Sequence, residues 1–396
     1  MSATTGPDAA SARGASAPTA SLALERSERR ADIPGLRGVA VLLVIGVHAA
    51  GFPRSGFVGV DIFFVISGFV IANRLLEEAE RTGSISLPRF YVRRFQRIAP
   101  AALLTLGAVA LAATVLPAAR RASVLADTLW AAAGGGNLRM LLAPAERQGG
   151  FLQVSPVGPF WSLGVEEQFY AVLPVVLLSA WCIGARRQAA YRWVLGAAAA
   201  GVAASLALAA AAGLSDPDAA YYSTAARGWE LGIGVVLAIL APRFRRLGTR
   251  ARSVLGFTAL AAVELAAVAW QQGSYPLPAG LVPVGGAAAL IIAGTGGTSS
   301  VTRVFASAPL RWVGDRSYSL SLWHFPILVF MLVAQPSGRG DVIAESLVLT
   351  VIVASLSYRF VERPVSALFR HTRPALALDH APMVTAGPAT VAATRP

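Results

Sequence analysis

An arginine and a histidine stand eleven residues apart in one apolar run of the chain. Arg37 and His48 lie within residues 33–52, and Asp61 follows in a second apolar run at residues 56–76. Eleven helical residues complete about three turns and rise by about 16 Å, so the two side chains share a helix face. A histidine can take a proton from a hydroxyl group, and an arginine can bind a phosphate. The pattern predicts a base buried in a membrane helix, with an anion-binding group nearer the helix end.

The elements that position these residues are those of a polytopic membrane protein. The chain has 396 residues, of which 55% are hydrophobic and 14% charged, and its mean hydropathy is +0.59. Windows long enough to cross about 30 Å of hydrocarbon predict an all-α, integral membrane bundle of about ten transmembrane helices. The windows are residues 35–53, 57–76, 98–117, 160–183, 191–213, 226–242, 253–270, 279–295, 313–334 and 341–361.

Arginines are concentrated in every second loop between the predicted spans, at residues 81–97, 186–192 and 243–252. The positive-inside rule then predicts a multi-pass protein of the cell membrane with both termini in the cytoplasm. Residues 123–142 are apolar but contain Asp127 and three glycines, so we expect an interfacial or re-entrant helix there. The net charge of +13 does not indicate nucleic acid, because the arginines are scattered between apolar segments.

Composition divides the chain into three parts. Residues 1–31 and 367–396 are rich in small residues and proline and predict disordered cytoplasmic tails, and residues 32–366 form the transmembrane domain. The single cysteine, Cys182, excludes an intramolecular disulfide. No Cys/His cluster has zinc spacing, so no metal site is expected.

Two further arginines, Arg94 and Arg97, lie three residues apart at the entrance to the third predicted span. Paired guanidinium groups suit phosphates, although a positive belt at the membrane surface is an alternative interpretation. Together with Arg37, they predict a site for a polyanionic cytosolic cofactor.

Carboxylates offer candidate partners for the histidine. Glu166 and Glu167 are adjacent near the start of the fourth span, and only one should face a cavity, since neighbouring helical residues point about 100° apart. Either Asp61 or Glu166 could orient His48, while a purely interhelical role remains an alternative for both. We expect an intrahelical ion pair between residues 227 and 230. His324, flanked by aromatic residues, is more typical of a core histidine than of a second base.

Seven features in a fixed order resemble the membrane-bound acyltransferase 3 family over about residues 33–365. They are Arg37 followed by His48, GFVGVDIFFVISGF at 56–69, the pair Arg94 and Arg97, WSLGVEEQFY at 161–170, RGWELG at 227–232, SYSLSLWHFP at 317–326 and ERP at 362–364. The resemblance implies an O-acyltransferase that moves an acyl group, acetyl by default, from cytosolic acyl-CoA to a hydroxyl group. A surface carbohydrate, a glycolipid and a secreted macrolide-type natural product are all candidate acceptors.

The resemblance also implies roles for individual residues. The expected catalytic residues are His48 as general base with Glu166 and Asp61, and the expected CoA-binding residues are Arg37, Arg94 and Arg97. The expected substrate-binding residues are Trp161, Gln168, Tyr170, Tyr318 and His324. Acyl-CoA is expected as a co-substrate, with no tightly bound cofactor. Ser321 replaces an aromatic residue of many relatives and is expected to alter the pocket near His324.

Some relatives append a soluble esterase-like domain, whereas here a short tail follows Pro364. We therefore expect transfer to be completed by the membrane bundle or with a separate partner. The competing interpretations are a transporter or flippase, in which the buried ionisable residues relay protons, and a structural partner of a glycan-assembly complex. Consumption of the acyl-CoA thioester by pure protein separates the enzyme from both.

Overall fold

The apolar windows of the sequence fold as helices. In the computed structural model, the described residues are 30–142, 154–269, 275–335, 339–365 and 367, and no strand occurs among them. The predicted tails lie outside this part of the chain, apart from residues 30, 31 and 367. Most of the predicted transmembrane domain is therefore described.

The helices are numbered in chain order. They are α1 (Asp32–Ala50), α2 (Val58–Thr82), α3 (Leu87–Ala112), α4 (Ala118–Ala132), α5 (Gly136–Leu142), α6 (Phe160–Arg186), α7 (Ala190–Ser215), α8 (Pro217–Tyr222), α9 (Thr224–Phe244), α10 (Thr249–Ala269), α11 (Leu281–Ala293), α12 (Ser300–Phe305), α13 (Ala308–Asp315), α14 (Ser317–Ala334) and α15 (Arg339–Ser357). A 3₁₀ turn, Ala113–Val115, extends α3, and a π-helical turn, Tyr358–Glu362, follows α15.

Nine helices within the described ranges are long and apolar enough to cross a membrane, which confirms a polytopic helical bundle. They are α1, α2, α3, α6, α7, α9, α10, α14 and α15. The remaining predicted window, 279–295, corresponds to α11, whose 13 residues span only about 20 Å. Helix α3 begins at Leu87, so Arg94 and Arg97 lie within it and not before it.

The window at 123–142 forms two short helices and no span. Helices α4 and α5 are joined by a turn, and Arg139 pairs with Asp127 at 2.7 Å across it. Helix α5 packs against the first turns of α6, where a β-carbon on Gly164 would lie 2.7 Å from the side-chain oxygen of Asn137. The arrangement agrees with a segment that does not cross the membrane.

Glycines let α2 and α9 pack with their backbones in contact. A β-carbon at Gly68 would lie 1.9 Å from the carbonyl oxygen of Leu231, and one at Gly234 would lie 2.2 Å from that of Val65. Such close approach is how small residues hold helices together where lipid gives no hydrophobic driving force. The contact fixes how far α2 and α9 are shifted along each other. It thereby places Asp61, near the start of α2, beside Arg227 and Glu230, near the start of α9.

Helix α1 is seated in the same way. A β-carbon at Gly35 would lie 1.8 Å from the carbonyl oxygen of Phe305, and one at Gly314 would lie 1.6 Å from that of Pro34. Helices α12 and α13 therefore hold the first turns of α1, the part of the helix that carries Arg37.

We expect Gly68→Ala to lower the free energy of unfolding by about 1–3 kcal/mol, because the added methyl group meets a backbone carbonyl that cannot move aside. The matched control is Gly201→Ala in α7, where a β-carbon meets nothing within 4 Å. This control should be neutral or stabilising, since alanine favours helices. Thermal unfolding in one detergent measures both changes. Equal stability of Gly68→Ala and the parent protein would contradict the packing described.

Candidate active site

A cavity of about 1770 Å³ lies between α1, α2, α3, α6 and α14. Its lining includes Arg37, near the start of α1, and His48, near the end of the same helix. Phe57, which directly precedes α2, and Tyr221, in α8, also line the cavity, and their ring centroids are 6.3 Å apart. Arg37 and His48 thus lie on one face of α1, as predicted, and this face forms part of the cavity wall.

His48 lies beside a second histidine. Its Nδ1 atom is 2.9 Å from Nε2 of His324, and the two rings are stacked with centroids 5.2 Å apart. The ring of Phe325 packs edge-on against His48. His324 is buried, as expected of a core histidine, and its Nδ1 lies 3.1 Å from the carbonyl oxygen of Leu320. The sequence interpretation missed the contact between the two histidines, which are 276 positions apart.

Asp61 belongs to a buried ion cluster and does not contact His48. Its carboxylate accepts hydrogen bonds from Arg227 at 2.6 Å and from the hydroxyl group of Tyr275 at 3.0 Å. The Nε atom of Arg227 also lies 3.0 Å from Glu230, which confirms the predicted pair within one helix. All three charged side chains are fully buried. Asp61 thus has partners on other parts of the bundle, as the interhelical alternative expects, and its role of orienting His48 stays a prediction.

Four aromatic rings surround the guanidinium group of Arg227, with centroids at 5.0 to 5.8 Å. They belong to Phe64, Trp161, Tyr221 and Tyr275. Cation–π contacts and two carboxylates together offset the cost of burying the charge. Burial raises the pKa of the Tyr221 and Tyr275 hydroxyl groups, so both remain neutral and Tyr275 can donate to the carboxylate. Trp161 lines the cavity as well as this cluster.

Arg94 is held by both carboxylates at the start of α6. Its Nη2 atom lies 3.1 Å from Glu167 and 3.4 Å from Glu166, and its guanidinium carbon is 3.9 Å from the ring centre of Tyr170. Glu166 also accepts a hydrogen bond from Ser67 at 2.7 Å. Of the two glutamates, Glu166 lines the cavity, as the helical spacing predicts.

These contacts bear on two sequence expectations. Among the described residues, Glu166 makes no hydrogen bond to His48, and its expected role of orienting the imidazole stays a prediction. Arg94 lines the cavity but is already neutralised, so it is poorly suited to serve as a phosphate ligand. Its contacts join α3 to α6.

Three other arginines reach the same cavity from three helices. Arg37 of α1, Arg74 of α2 and Arg97 of α3 all line it, and none makes a salt bridge within the described part of the chain. The three side chains carry like charges from three helices into one cavity. Converging guanidinium groups of this kind form an anion-binding site. The sequence interpretation missed Arg74, because a lone arginine at the end of a span is typical of the positive-inside pattern.

The remaining expected substrate-binding residues differ in their placement. Tyr170 and Tyr318 line the cavity. Gln168 does not: its amide donates to Asn137 at 2.8 Å and accepts from Thr224 at 2.5 Å. It connects α6 with α5 and α9, and its expected contact with substrate stays a prediction.

Because removal of one partner from a buried ion pair leaves the other charge unpaired, we expect Asp61→Ala to cost about 3–5 kcal/mol of unfolding free energy. Tyr275→Phe removes one neutral donor from the same carboxylate and should cost less, about 1–3 kcal/mol. Thermal unfolding of the purified variants measures both values. An Asp61→Ala variant as stable as the parent protein would contradict the cluster as a structural anchor.

Comparisons with known proteins agree with this arrangement. A family model described as an acyltransferase domain matches residues 30–359. Peptidoglycan O-acetyltransferase OatA of Listeria monocytogenes is 30% identical over 355 residues, which cover 84% of this chain and 55% of the relative. A Bacillus subtilis protein named "Putative peptidoglycan O-acetyltransferase YrhL" is 32% identical over 352 residues, covering 84% and 54%.

The chain spans about half the length of these relatives. No solved structure matches it. The family model, in contrast, covers most of the chain, including His48, His324 and the arginines at positions 37, 74, 94 and 97. The resemblance predicted from the seven features is confirmed, and the chain belongs to the membrane-bound acyltransferase 3 family.

Proposed function

We propose that this protein is an integral membrane O-acyltransferase that moves an acyl group, acetyl by default, from cytosolic acyl-CoA to a hydroxyl group of a glycan. The observation that carries the proposal is the shared cavity, in which Arg37 lies about 16 Å along α1 from His48 and which Arg74 and Arg97 also line. Membership of the family and the names of two relatives, both peptidoglycan O-acetyltransferases, support a glycan acceptor.

The donor site consists of Arg37, Arg74 and Arg97. The phosphate groups of CoA are negatively charged, these three side chains form no salt bridge within the described residues, and guanidinium forks bind phosphate oxygens in pairs. Binding would also relieve the repulsion among the three like charges. The pantetheine arm then extends along α1, which brings the thioester towards His48. Arg94 positions α3 and supplies no phosphate contact.

His48 acts as the general base. As the acceptor hydroxyl attacks the thioester carbonyl, an oxygen–carbon bond forms, the carbon–sulfur bond breaks and the hydroxyl proton passes to the imidazole. The proton then leaves with the CoA sulfur. General base catalysis contributes a factor of about 10² to 10⁴ in rate. The arginine cluster and the histidine perform separate tasks, so substitutions at the two places should affect different kinetic constants.

The acceptor enters from the end of the cavity opposite the arginines. Phe57, Trp161 and Tyr221 line that part of the wall, and aromatic rings with polar edges suit a sugar, which has apolar faces and peripheral hydroxyl groups. With both termini in the cytoplasm, this end faces the outside of the cell. The donor and the acceptor would then never need to share a compartment.

A donor-site prediction follows from the arginines that line the cavity. Arg74→Ala and Arg97→Ala should each weaken acetyl-CoA binding by about 1.5–3 kcal/mol, the scale for losing a hydrogen bond to a charged group. Lysine at either position should restore only part of the affinity, because a point charge cannot reproduce the guanidinium fork. Calorimetry in detergent measures the change.

The matched control for the donor site is Arg54→Ala, since Arg54 is exposed and follows the end of α1 remote from Arg37. This variant should bind acetyl-CoA like the parent protein. Unchanged affinity in a folded Arg74→Ala/Arg97→Ala double variant would show that the donor binds elsewhere.

Loss of the base should change catalysis and not binding. His48→Ala is expected to slow single-turnover transfer by at least about 10²-fold while acetyl-CoA binds nearly as before. The assay follows thioester consumption by pure protein supplied with a chitooligosaccharide. Transfer by His48→Ala at the parent rate would remove the histidine from the mechanism, and no thioester consumption by the parent protein would favour a transporter.

The orientation is tested by cysteine labelling on whole cells. In a Cys182→Ser background, Ser215→Cys, at the end of α7, should react with a membrane-impermeant maleimide, and Thr249→Cys, at the start of α10, should not. Both positions are exposed in the structure, so burial cannot account for protection. The reverse pattern would place both termini outside.

A further inference from the structure

Two hydrogen-bond contacts in series connect the backbone of α14 to the cavity. The carbonyl oxygen of Leu320 lies 3.1 Å from Nδ1 of His324, and Nε2 of His324 lies 2.9 Å from Nδ1 of His48. The Nε2 atom of His48 has no hydrogen-bond partner within the described ranges, and the residue lines the cavity. The series therefore runs from a main-chain carbonyl through two imidazole rings to the reaction space.

The carbonyl sets the direction of both hydrogen bonds. A carbonyl oxygen can only accept, so Nδ1 of His324 must carry a proton and donate it. In a neutral imidazole the other nitrogen is then unprotonated, so Nε2 of His324 accepts. His48 must donate from its own Nδ1, and the lone pair of His48 is left on Nε2.

The surroundings favour neutral rings, on which this argument depends. His324 is only 3% exposed, and no carboxylate in the described part of the chain forms a hydrogen bond with either ring. Asp61 and Glu166 are engaged with Arg227 and Arg94. A positive charge on a buried imidazole would thus lack a partner, which is costly.

Ring packing restricts the orientation of the imidazole as well. The two histidine rings are stacked at an interplanar angle of 17°, and Phe325 contacts His48 edge-on with centroids 4.9 Å apart. A flip of the His48 ring would remove its hydrogen bond to His324 and disturb both contacts. His324 therefore restrains the position of the ring proton of His48, and His324 and Phe325 together restrain the plane of its ring.

We propose that His324 is a positioning residue, which holds His48 in the tautomer protonated at Nδ1 and so makes Nε2 the atom that takes the proton from the acceptor. The transfer of a proton from the acceptor to Nε2 rests on the proposed function, whereas the tautomer does not. When Nε2 takes the proton, the oxygen–carbon bond forms and the carbon–sulfur bond breaks. His48 is then a cation that still donates from Nδ1 to neutral His324. Passage of the proton from Nε2 to the CoA thiolate returns both rings to their starting state.

The tautomer is measurable without any substrate. Protonated and unprotonated ring nitrogens give separate ¹⁵N resonances, and the chain has four histidines. In a His371→Gln/His380→Gln background, labelled protein retains only the two cavity histidines. We expect both rings to be neutral, protonated at Nδ1 and unprotonated at Nε2. A proton on Nε2 of His48, or an imidazolium at neutral pH, would overturn the proposal whatever the protein catalyses.

A pair of variants tests the consequence for catalysis. In His324→Gln, the amide oxygen can accept from Nδ1 of His48, whereas His324→Leu offers no acceptor. We expect His324→Leu to lower kcat by about 10-fold or more, the scale for losing the hydrogen-bond partner of a functional histidine. The KM for acetyl-CoA should not change, and His324→Gln should recover most of the loss.

Equal kcat for the glutamine and leucine variants would overturn the positioning role. If His324→Leu does not fold, the ¹⁵N resonances of the two histidines in the parent protein still show which nitrogen of His48 carries the proton. If the parent protein transfers no acyl group but shows both rings protonated at Nδ1, the proposed function fails and the assignment of the proton stands.

Discussion

A charge in the interior of this bundle needs a compensating partner, and this constraint separates two arginines held by carboxylates from three that line the cavity. Arg227 is fully buried and lies between Asp61 and Glu230, and Arg94 lies between Glu166 and Glu167. These contacts hold helices together, because an unpaired charge in an apolar interior is too costly to keep. The arginines at positions 37, 74 and 97 form no salt bridge within the described residues and line the cavity, where water or an anionic ligand can take the place of a carboxylate.

The sequence is a good guide to the features that depend on one helix at a time. Hydropathy locates the spans because each must cross the same thickness of hydrocarbon, and helical periodicity places Arg37 and His48 on one face, as the cavity shows. Contacts between helices are different. Asp61 meets a partner 166 positions away, and His48 meets one 276 positions away. No periodicity within a span encodes which helix lies beside it, so the sequence could not predict that His324 contacts His48.

The arrangement suits a reaction between partners of unequal polarity. The phosphates of CoA would remain with the arginines near the start of α1, and only the thin, uncharged pantetheine arm would enter the bundle. In the proposed mechanism, His324 gives the base a neutral partner where many enzymes use a carboxylate. A neutral partner fixes the tautomer without adding another buried charge to balance. The glycine contacts that seat α1 and α2 keep these groups in register.

The central claim is that one cavity joins a donor site on one side of the membrane to an acceptor site on the other. Sealed proteoliposomes test it directly, with acetyl-CoA added only outside and a chitooligosaccharide present only inside. In the fraction of molecules whose arginine cluster faces outwards, acetyl groups should reach the enclosed sugar while the vesicles stay impermeable to CoA. Acetylation that occurs only when donor and sugar share a compartment would contradict the account.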